Sequence, residues 1–288
     1  MSYKDQYGKR GYLNEDFLFF YLKDSKGEQF EYHYHEFYKI IIFISGKVTY
    51  LIEGKAYILK PWDILLITDK DIHKALIETN EPYERYIIWL NPKFLEKNSC
   101  SNNNLLTCFE HHFNYKENLL SLSPDDKVTI KNNLLQLENC CKNQLFGTSI
   151  EKNLLFLLFI INLNRIFIYT DRSFCALKIQ FDETVNKIIN YINTNINCNL
   201  TIEELSKKFY ISKYTLMHKF KKQTGFTVHQ FILQKRLIAA SNLIKTGGSL
   251  SEISYECGFT DYSGFVRAFK RFYGLSPKQL QNKQSASK

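Results

Sequence analysis

The pattern of hydrophobic and polar positions changes twice along the chain, and its first part is typical of β-structure. Between residues 17 and 90, runs of β-branched and aromatic residues alternate with short polar segments that contain glycine or proline. Many short strands at this spacing indicate a β-barrel or a β-sandwich. The predicted strands are Phe17–Leu22, Tyr38–Ile44, Val48–Ile52, Ile64–Thr68 and Tyr86–Leu90.

Residues 124–170 follow a helical period instead. Ser123 followed by Pro124 and two acidic residues predicts a helix start, because serine caps a helix and proline fits its first turn. A second helix is predicted over Ile150–Ile168 and is apolar around most of its circumference. Such a helix must be buried. Two partners stay open for it: the barrel of its own chain, or the same helix of a second chain in a dimer.

Residues 182–280 are helical again and contain an internal repeat. Leu205 and Ser206 recur as Ile253 and Ser254 at an offset of 48 residues, whereas later pairs recur at an offset of 49. The difference of one residue falls in a turn, as expected for two copies of one supersecondary unit. The pairs at the longer offset are Phe220 with Phe269, Gly225 with Gly274, and Phe231 with Leu280.

Each copy of the repeat is predicted to contain a short helix, a tight turn and a longer basic helix. Capping boxes at Thr201-x-x-Glu204 and Ser249-x-x-Glu252 open the short helices. A helix that starts at Thr227 and ends at Gly247 connects the copies. The longer helices have predicted caps at Ser212 and Gly225 in the first copy and at Asp261 and Gly274 in the second.

The distribution of charge distinguishes the helical repeat from the rest of the chain. The chain of 288 residues has a formal net charge of +9. Residues 182–288 contain 16 Lys+Arg and 7 Asp+Glu, whereas residues 1–181 contain 22 of each. The whole excess therefore lies in the helical repeat, which predicts contact with a polyanion.

Other features exclude several classes of protein. The first residues have no apolar segment typical of a secretory signal. The longest apolar run, Leu154–Ile161, has eight residues, whereas a membrane span needs about 20. Seven cysteines without a Cys-x-x-Cys motif indicate reduced thiols. We therefore expect a cytoplasmic protein that makes no membrane contact.

The basic residues occupy matching places in the two copies. In a helix-turn-helix unit the second helix lies in the major groove of DNA, with its first residues near the base edges. Cations in its last turn can contact phosphates and also favour the helix C-terminus. Two such clusters at equivalent positions favour DNA binding over a merely solvated surface. The clusters are Lys219, Lys221 and Lys222 in the first copy, and Arg267, Lys270 and Arg271 in the second.

The motifs of this region resemble the C-terminal domain of the AraC/XylS family of bacterial transcription regulators, over about residues 183–280. The first copy carries Leu205-Ser206-x5-Ser212-x3-Leu216-x3-Phe220-Lys221-Lys222-x2-Gly225, followed by Arg236-Leu237-x2-Ala240. The second carries Ile253-x4-Gly258-Phe259-x5-Phe265-x-Arg267-x-Phe269-Lys270-Arg271-x2-Gly274-x2-Pro277. Ser206 and Ser254 stand where the family usually has alanine, and Gly264 stands where it usually has an aromatic residue.

The resemblance implies roles for individual residues. Tyr214 and Met217 would contact thymine methyl groups, and His218 would donate to a purine. Arg236 on the connecting helix would also reach DNA. The full predicted DNA-binding set is Ser212, Lys213, Tyr214, Met217, His218, Lys221, Lys222, Arg236, Tyr262, Ser263, Arg267, Lys270 and Arg271.

The N-terminal region is similar to the cupin, a small double-stranded β-barrel that is a common sensor domain of this family. His33-x-His35, Gly46, Pro61-Trp62-Asp63 and His73 carry this looser resemblance. Enzymatic cupins hold a metal with three such histidines and a glutamate, and here Lys39 stands at the glutamate position. We therefore expect no bound metal or other cofactor, and no enzymatic activity. His33, His35, Tyr38 and His73 would instead line a pocket for an effector such as a sugar or a similar polar metabolite.

The predicted fold class is multidomain α+β. A cupin-like effector domain with an N-terminal arm spans residues 1–120, and helices for dimerisation or packing span 121–170. A linker at 171–181 leads to an all-α domain at 182–288, with two helix-turn-helix units and a connecting helix. The expected partners are double-stranded DNA, a small-molecule effector, a second copy and, for an activator, RNA polymerase. Two alternatives stay open: a metal-dependent cupin enzyme with a basic accessory domain, and a non-specific architectural DNA binder.

Overall fold

A computed structural model describes residues 13–24, 32–78, 81–110, 118–143, 145–169, 178–179 and 182–285. Its N-terminal part contains two antiparallel sheets, one of order β1-β7-β2-β5-β8 and one of order β6-β3-β4-β9. The strands are β1 (Phe17–Asp24), β2 (Tyr38–Ser45), β3 (Val48–Ile52), β4 (Lys55–Ile58), β5 (Ile64–Ile67), β6 (His73–Ile77), β7 (Tyr83–Leu90), β8 (Leu119–Leu120) and β9 (Lys178–Ile179).

The two sheets face each other across a shared core. Successive residues of a strand point to opposite faces, and β2 follows this rule. Ile41 and Phe43 face the core between the sheets, whereas Ile40 and Ile42 face a second core beneath the helices. The β-barrel or sandwich expected from the sequence is therefore present, with both faces of its larger sheet buried.

The helices of this domain are α1 (Pro92–Asn98), α2 (Pro124–Lys142) and α3 (Thr148–Tyr169). As predicted, Ser123 caps α2 by accepting a hydrogen bond from the backbone N–H of Asp126. Helix α3 buries Phe156, Phe159 and other side chains against the larger sheet. Its opposite face leaves Ile150 and Leu154 exposed by 66% and 62%. The barrel of the same chain thus covers one face of α3 and leaves the other open.

Helix α3 is also the one helix among the described residues that is long and apolar enough to cross a membrane, judged by length and composition alone. In its most apolar window 39% of the residues are buried inside the protein. The apolar side chains of this helix that are buried in the protein are Phe156, Phe159, Ile160, Leu163, Ile166 and Phe167.

The described residues 182–285 of the C-terminal part contain seven helices. They are α4 (Glu183–Thr194), α5 (Ile202–Lys208), α6 (Lys213–Thr224), α7 (Val228–Thr246), α8 (Leu250–Glu256), α9 (Tyr262–Tyr273) and α10 (Pro277–Ser285). The predicted N-caps of α5, α6, α7, α8 and α9 all accept the expected backbone hydrogen bond. Gly225 and Gly274 end α6 and α9 in the left-handed conformation, as the repeat predicted.

The internal repeat is visible in the hydrogen bonds of the two turns. The N–H of Ile211 donates to the carbonyl oxygen of Ser206 over 3.0 Å, and the N–H of Phe259 donates to Ser254 over the same distance. The hydroxyls of both serines donate to the carbonyl oxygen three residues earlier. Two equivalent helix-turn-helix units are therefore present, with α7 between them.

The predicted linker and the predicted N-terminal arm lie at the two ends of the N-terminal domain. The segment 171–181 was expected to be a linker, but Lys178 and Ile179 pair with Tyr57 and Ala56 of β4. Part of this segment thus extends the smaller sheet. The predicted N-terminal arm, about residues 1–15, lies largely outside the described residues.

Candidate DNA-binding surface and sensor core

Helix α6 presents the predicted reading residues to solvent. Leu216 and Phe220 are fully buried, whereas Tyr214 and Met217 are exposed by 76% and 44%. His218 is exposed as well, and its ring stacks on that of Tyr214 with centroids 6.2 Å apart. The hydroxyl of Ser212 accepts the N–H of Thr215 and so fixes the start of this helix.

Cations surround this reading face. Lys221 and Lys222 lie exposed in the last turn of α6. Lys213 forms an ion pair with Glu203, but both side chains are more than half exposed. Exposed pairs contribute about 0–1 kcal/mol, so Lys213 stays available to a phosphate. Lys219 pairs with Asp182 over 2.5 Å and connects α6 to the start of α4.

Helix α9 repeats the arrangement of α6. Phe265 and Phe269 are fully buried. The N–H of Gly264 donates to the carboxylate of Asp261 over 2.5 Å. A Cβ atom at Gly264 would lie only 2.7 Å from that carboxylate, so glycine permits the close cap. The predicted contact residues of this helix are all exposed: Tyr262, Ser263, Arg267, Lys270 and Arg271.

The predicted DNA contact of Arg236 stays a prediction, because the structure shows this side chain bound within its own domain. Its guanidinium donates to the carbonyl oxygens of Ile196 and Cys198, over 3.1 and 2.8 Å. Burial lowers the pKa of this side chain. Arg236 therefore connects α7 to the loop between α4 and α5 through its Nε and Nη2 atoms.

The sensor docks on the DNA-binding domain through the turn between β3 and β4. The carboxylate of Glu53 forms an ion pair of 2.7 Å with Lys235 on α7. The amide of Gln223, near the end of α6, donates to the carbonyl oxygen of Gly54 over 2.6 Å. Gly54 has a φ of +74°, and a Cβ atom there would lie 2.3 Å from the end of the Ile189 side chain on α4, so glycine suits both the turn and this close approach.

A second contact lies in the segment before β2. The hydroxyl of Tyr32 donates to the carbonyl oxygen of Gln223 over 3.0 Å, and burial raises the pKa of this tyrosine to about 12. The ring of Tyr34 stacks on Phe272 of α9 with centroids 5.3 Å apart. The sensor therefore contacts both helix-turn-helix units and the helix between them, behind their reading residues.

Three buried histidines lie directly beside this contact. His33 and His35 alternate with Tyr32 and Tyr34, and His73 lies opposite His33. The three imidazoles offer nitrogen atoms that all lie within 4.8 Å of one another. Sequence reasoning thus grouped these three side chains correctly.

The fourth predicted effector residue, Tyr38, is placed wrongly by the sequence reasoning. Its ring lies 4.9 Å from Phe109 and packs against the core beneath the helices. Alternation along β2 explains the error, since Tyr38 and Lys39 point to opposite faces. Lys39 shares the orientation of Ile41, which faces the core between the sheets, and is buried.

A cavity of about 430 Å³ lies between the two domains. Lysines and amides line it together with an apolar surface on α7. Glu53 and Lys235 both border it, so a molecule bound there would contact both domains.

Sequence reasoning missed the residues that join the domains. Glu53 and Gly54 were interpreted only as a turn, and Gln223 and Lys235 as parts of helices. Their partners lie more than 100 residues away in the chain. The one local signal is the Glu53-Gly54 pair in a two-residue hairpin loop, a place where chains often carry function.

Comparison with known proteins agrees with this arrangement. The family described as AraC-like ligand binding domain matches residues 18–123, and the family described as helix-turn-helix domain matches residues 205–283. The probable transcriptional regulator LumQ of Photobacterium leiognathi is 27% identical over 253 residues, which are 87% of this chain and 91% of that protein. The transcriptional activator RhaS of Escherichia fergusonii is 23% identical over 269 residues, 90% of each chain.

Among solved structures, ToxT from Vibrio cholerae covers 93% of this chain and 98% of its own. It is 15% identical, and the TM-score of 0.36 is too low to support a conclusion about this chain.

Proposed function

Because this chain belongs to the AraC family of transcriptional regulators, we propose that α6 and α9 bind two neighbouring major-groove segments of its operator. The observation that carries the proposal is the pair of equivalent helices, each with an exposed first half and cations in its last turn. The first half meets base edges, and the last turn meets phosphates. Connecting helix α7 holds the two units in one rigid domain.

The side chains of each unit determine which residues contact bases and which contact the phosphate backbone. In the first unit Tyr214, Met217 and His218 contact bases, with Ser212 and Lys213 at the helix start. In the second unit Tyr262, Ser263 and Arg267 take the equivalent positions. The last-turn cations position the protein on the backbone without reading sequence. They are Lys221, Lys222, Lys270 and Arg271.

The active form is a homodimer that assembles through α3. Ile150, Leu154 and Leu158 lie four residues apart on one face of this helix and remain exposed. Exposed apolar stripes of this kind mark interaction sites, and a second copy presents the same stripe. For an activator, RNA polymerase is the further partner at the promoter.

A small-molecule effector, a sugar or a similar polar metabolite, controls the arrangement of the domains. The contacts of Glu53, Gly54, Tyr32 and Tyr34 support this mechanism, because they tie the sensor to both DNA-binding units. An effector shifts the docking equilibrium only if it binds the docked and undocked states with different affinity. A site at the cavity between the domains meets that condition, and so does one at His33, His35 and His73.

This function places the protein in the cytoplasm with its DNA and assigns it no enzymatic reaction. The comparisons with transcriptional regulators support that choice over a cupin enzyme with an accessory domain. The position of Lys39 supports it as well, since a cation replaces the carboxylate ligand of enzymatic cupins. Turnover of any substrate by the purified protein would favour the enzyme instead.

The experiment that tests the function is genome-wide footprinting of the bound sites. The proposal predicts a small number of protected sites beside promoters, each with two contacted segments about 10 base pairs apart on one face. Protection spread evenly over the genome would support an architectural DNA binder and contradict a regulator.

A further inference from the structure

The cluster of three buried histidines has a chemistry that DNA reading does not use. Against the expectation drawn from Lys39, we propose that His33, His35 and His73 bind one divalent transition-metal ion, with Zn²⁺ as the best-fitting member of that class, because the structure brings the three imidazoles closer together than the sequence could show. The proposal concerns the sensor alone and goes beyond the proposed regulatory function, so it stands or falls independently of DNA binding.

The geometry of the cluster fits a single ion. Ligand nitrogens at about 2.0–2.1 Å from Zn²⁺ in a tetrahedral site lie roughly 3.3 Å from each other. The three imidazoles already offer nitrogens within 4.8 Å of one another. Side-chain rotations therefore suffice to close the site, without movement of the strands.

The backbone holds two of the three ligands in register. The N–H of His33 donates to the carbonyl oxygen of His73 over 3.0 Å, and the N–H of His73 donates back over 2.9 Å. His35 follows two residues after His33 and points to the same side. A site fixed on paired strands loses little entropy on binding an ion.

One ligand is also oriented by a partner outside the cluster. The Nδ1 atom of His73 lies 3.0 Å from the carbonyl oxygen of Asp71, which can only accept a hydrogen bond. Nδ1 therefore carries the proton, and Nε2 keeps the lone pair that binds a metal. Histidine ligands in metalloproteins have the same kind of support from a carbonyl or carboxylate oxygen.

The donor set selects the class of metal. Neutral imidazoles suit Zn²⁺, Ni²⁺, Cu²⁺ and Fe²⁺, whereas Mg²⁺ and Ca²⁺ prefer oxygen ligands. Three histidines leave a fourth position open to water or an exogenous ligand, as in zinc sites that exchange ligands. Lys39, in place of a carboxylate, supplies no negative charge, so an anion is the favoured fourth ligand.

The competing interpretation is that the imidazoles are ordinary core residues that bind no ion. Both interpretations predict a folded barrel, and they differ in what the full-length protein does with a metal. Co²⁺ replaces Zn²⁺ in nitrogen sites and reports tetrahedral coordination by its visible absorption, so it serves as the probe.

The experiment titrates chelator-treated full-length protein with Co²⁺ and then displaces the Co²⁺ with Zn²⁺. The proposal predicts a tetrahedral absorption band that saturates at one equivalent and disappears with Zn²⁺. Loss of a hydrogen-bond partner outside the ligand set weakens metal binding about 10- to 100-fold. His35→Gln removes a ligand itself, so it should weaken Co²⁺ binding by more than that. His218→Ala and His229→Ala, at exposed positions of the DNA-binding domain, should leave the band unchanged.

A second measurement uses only the unmodified chain, so it does not depend on whether the variant folds. One equivalent of Zn²⁺ should raise the midpoint of thermal unfolding, and a chelator should reverse the shift. The proposal is overturned if the chain gives no tetrahedral band and no shift. It is equally overturned if His35→Gln leaves the band and its affinity unchanged.

Discussion

Glu53 and Lys235 form an ion pair of 2.7 Å across the boundary between the sensor and the DNA-binding domain. Their side chains are only 13% and 10% exposed. The same carboxylate accepts the N–H of Ile72 over 2.7 Å and the amide of Asn193 over 3.1 Å. One glutamate in a hairpin turn therefore connects the sensor to α4 and α7.

Lys235→Met is expected to loosen this docking. Removal of one partner of a buried ion pair typically costs about 3–5 kcal/mol, and the remaining bonds to Glu53 place this case near the lower end. Hydrogen exchange of peptides that cover residues 53–54 and 69–73 should become faster. Lys187→Met is the matched control, since Lys187 forms a solvent-exposed ion pair with Glu183. Such exposed pairs contribute about 1 kcal/mol or less to stability. Unchanged exchange in Lys235→Met would show that the ion pair does not hold the domains together.

Lys221→Ala is expected to weaken binding to all DNA sequences alike. A lysine that contacts one phosphate changes the slope of log affinity against log salt by about one. Anisotropy titrations at several salt concentrations measure this slope. Lys142→Ala, an exposed lysine of the sensor, should leave it unchanged. A slope identical to that of the unmodified chain would argue against a phosphate contact by Lys221.

His218→Ala is expected to change sequence preference rather than general affinity. A side chain that donates to one purine contributes about 1–3 kcal/mol of discrimination at that position. Selection of binding sites from a randomised operator should therefore show relaxed preference at one or two base pairs. An equal loss of affinity for operator and random DNA would assign His218 to a structural or backbone role.

Leu154→Lys is expected to separate the dimer without unfolding the chain. Leu154 is 62% exposed and lies in the middle of the apolar stripe on α3, so a lysine there costs the monomer little. Sedimentation velocity should show a shift from dimer to monomer. Ile58→Lys, an exposed apolar position on β4, is the control and should leave the dimer intact. A monomeric unmodified chain, or a dimer that tolerates Leu154→Lys, would contradict assembly through this stripe.

The C-terminal domain was predictable from the sequence because its signals are local. Capping residues such as Ser212 and Asp261 and the glycines that end α6 and α9 determine helix ends within a few residues of the chain. These signals occur at equivalent places in both copies of the repeat, so each copy supports the helix ends predicted for the other. Burial of Leu216 and Phe220 followed directly from helical spacing, which left Tyr214, Met217 and His218 on the exposed face.

The sequence misled or gave no signal at positions whose role depends on residues far away in the chain. Arg236 has a charge suited to DNA, but the carbonyls of Ile196 and Cys198 bind it. Tyr38 was assigned to the barrel interior because its aromatic ring suits a pocket, whereas strand alternation places it on the other face. The strands β4 and β6 were missed because each contains a lysine and an alanine, residue types that are depleted in strands, and so lacks a clear β-branched or aromatic run. No local pattern indicates that Glu53 meets Lys235.

The most direct test of the central claim compares the affinity of the full-length protein for its footprinted operator and for random DNA of equal length, at one physiological salt concentration. A regulator that reads bases with α6 and α9 is predicted to bind the operator roughly 10³-fold more tightly or better. Equal affinity for the two DNAs would contradict the account, because it would leave only the backbone contacts of the basic helices.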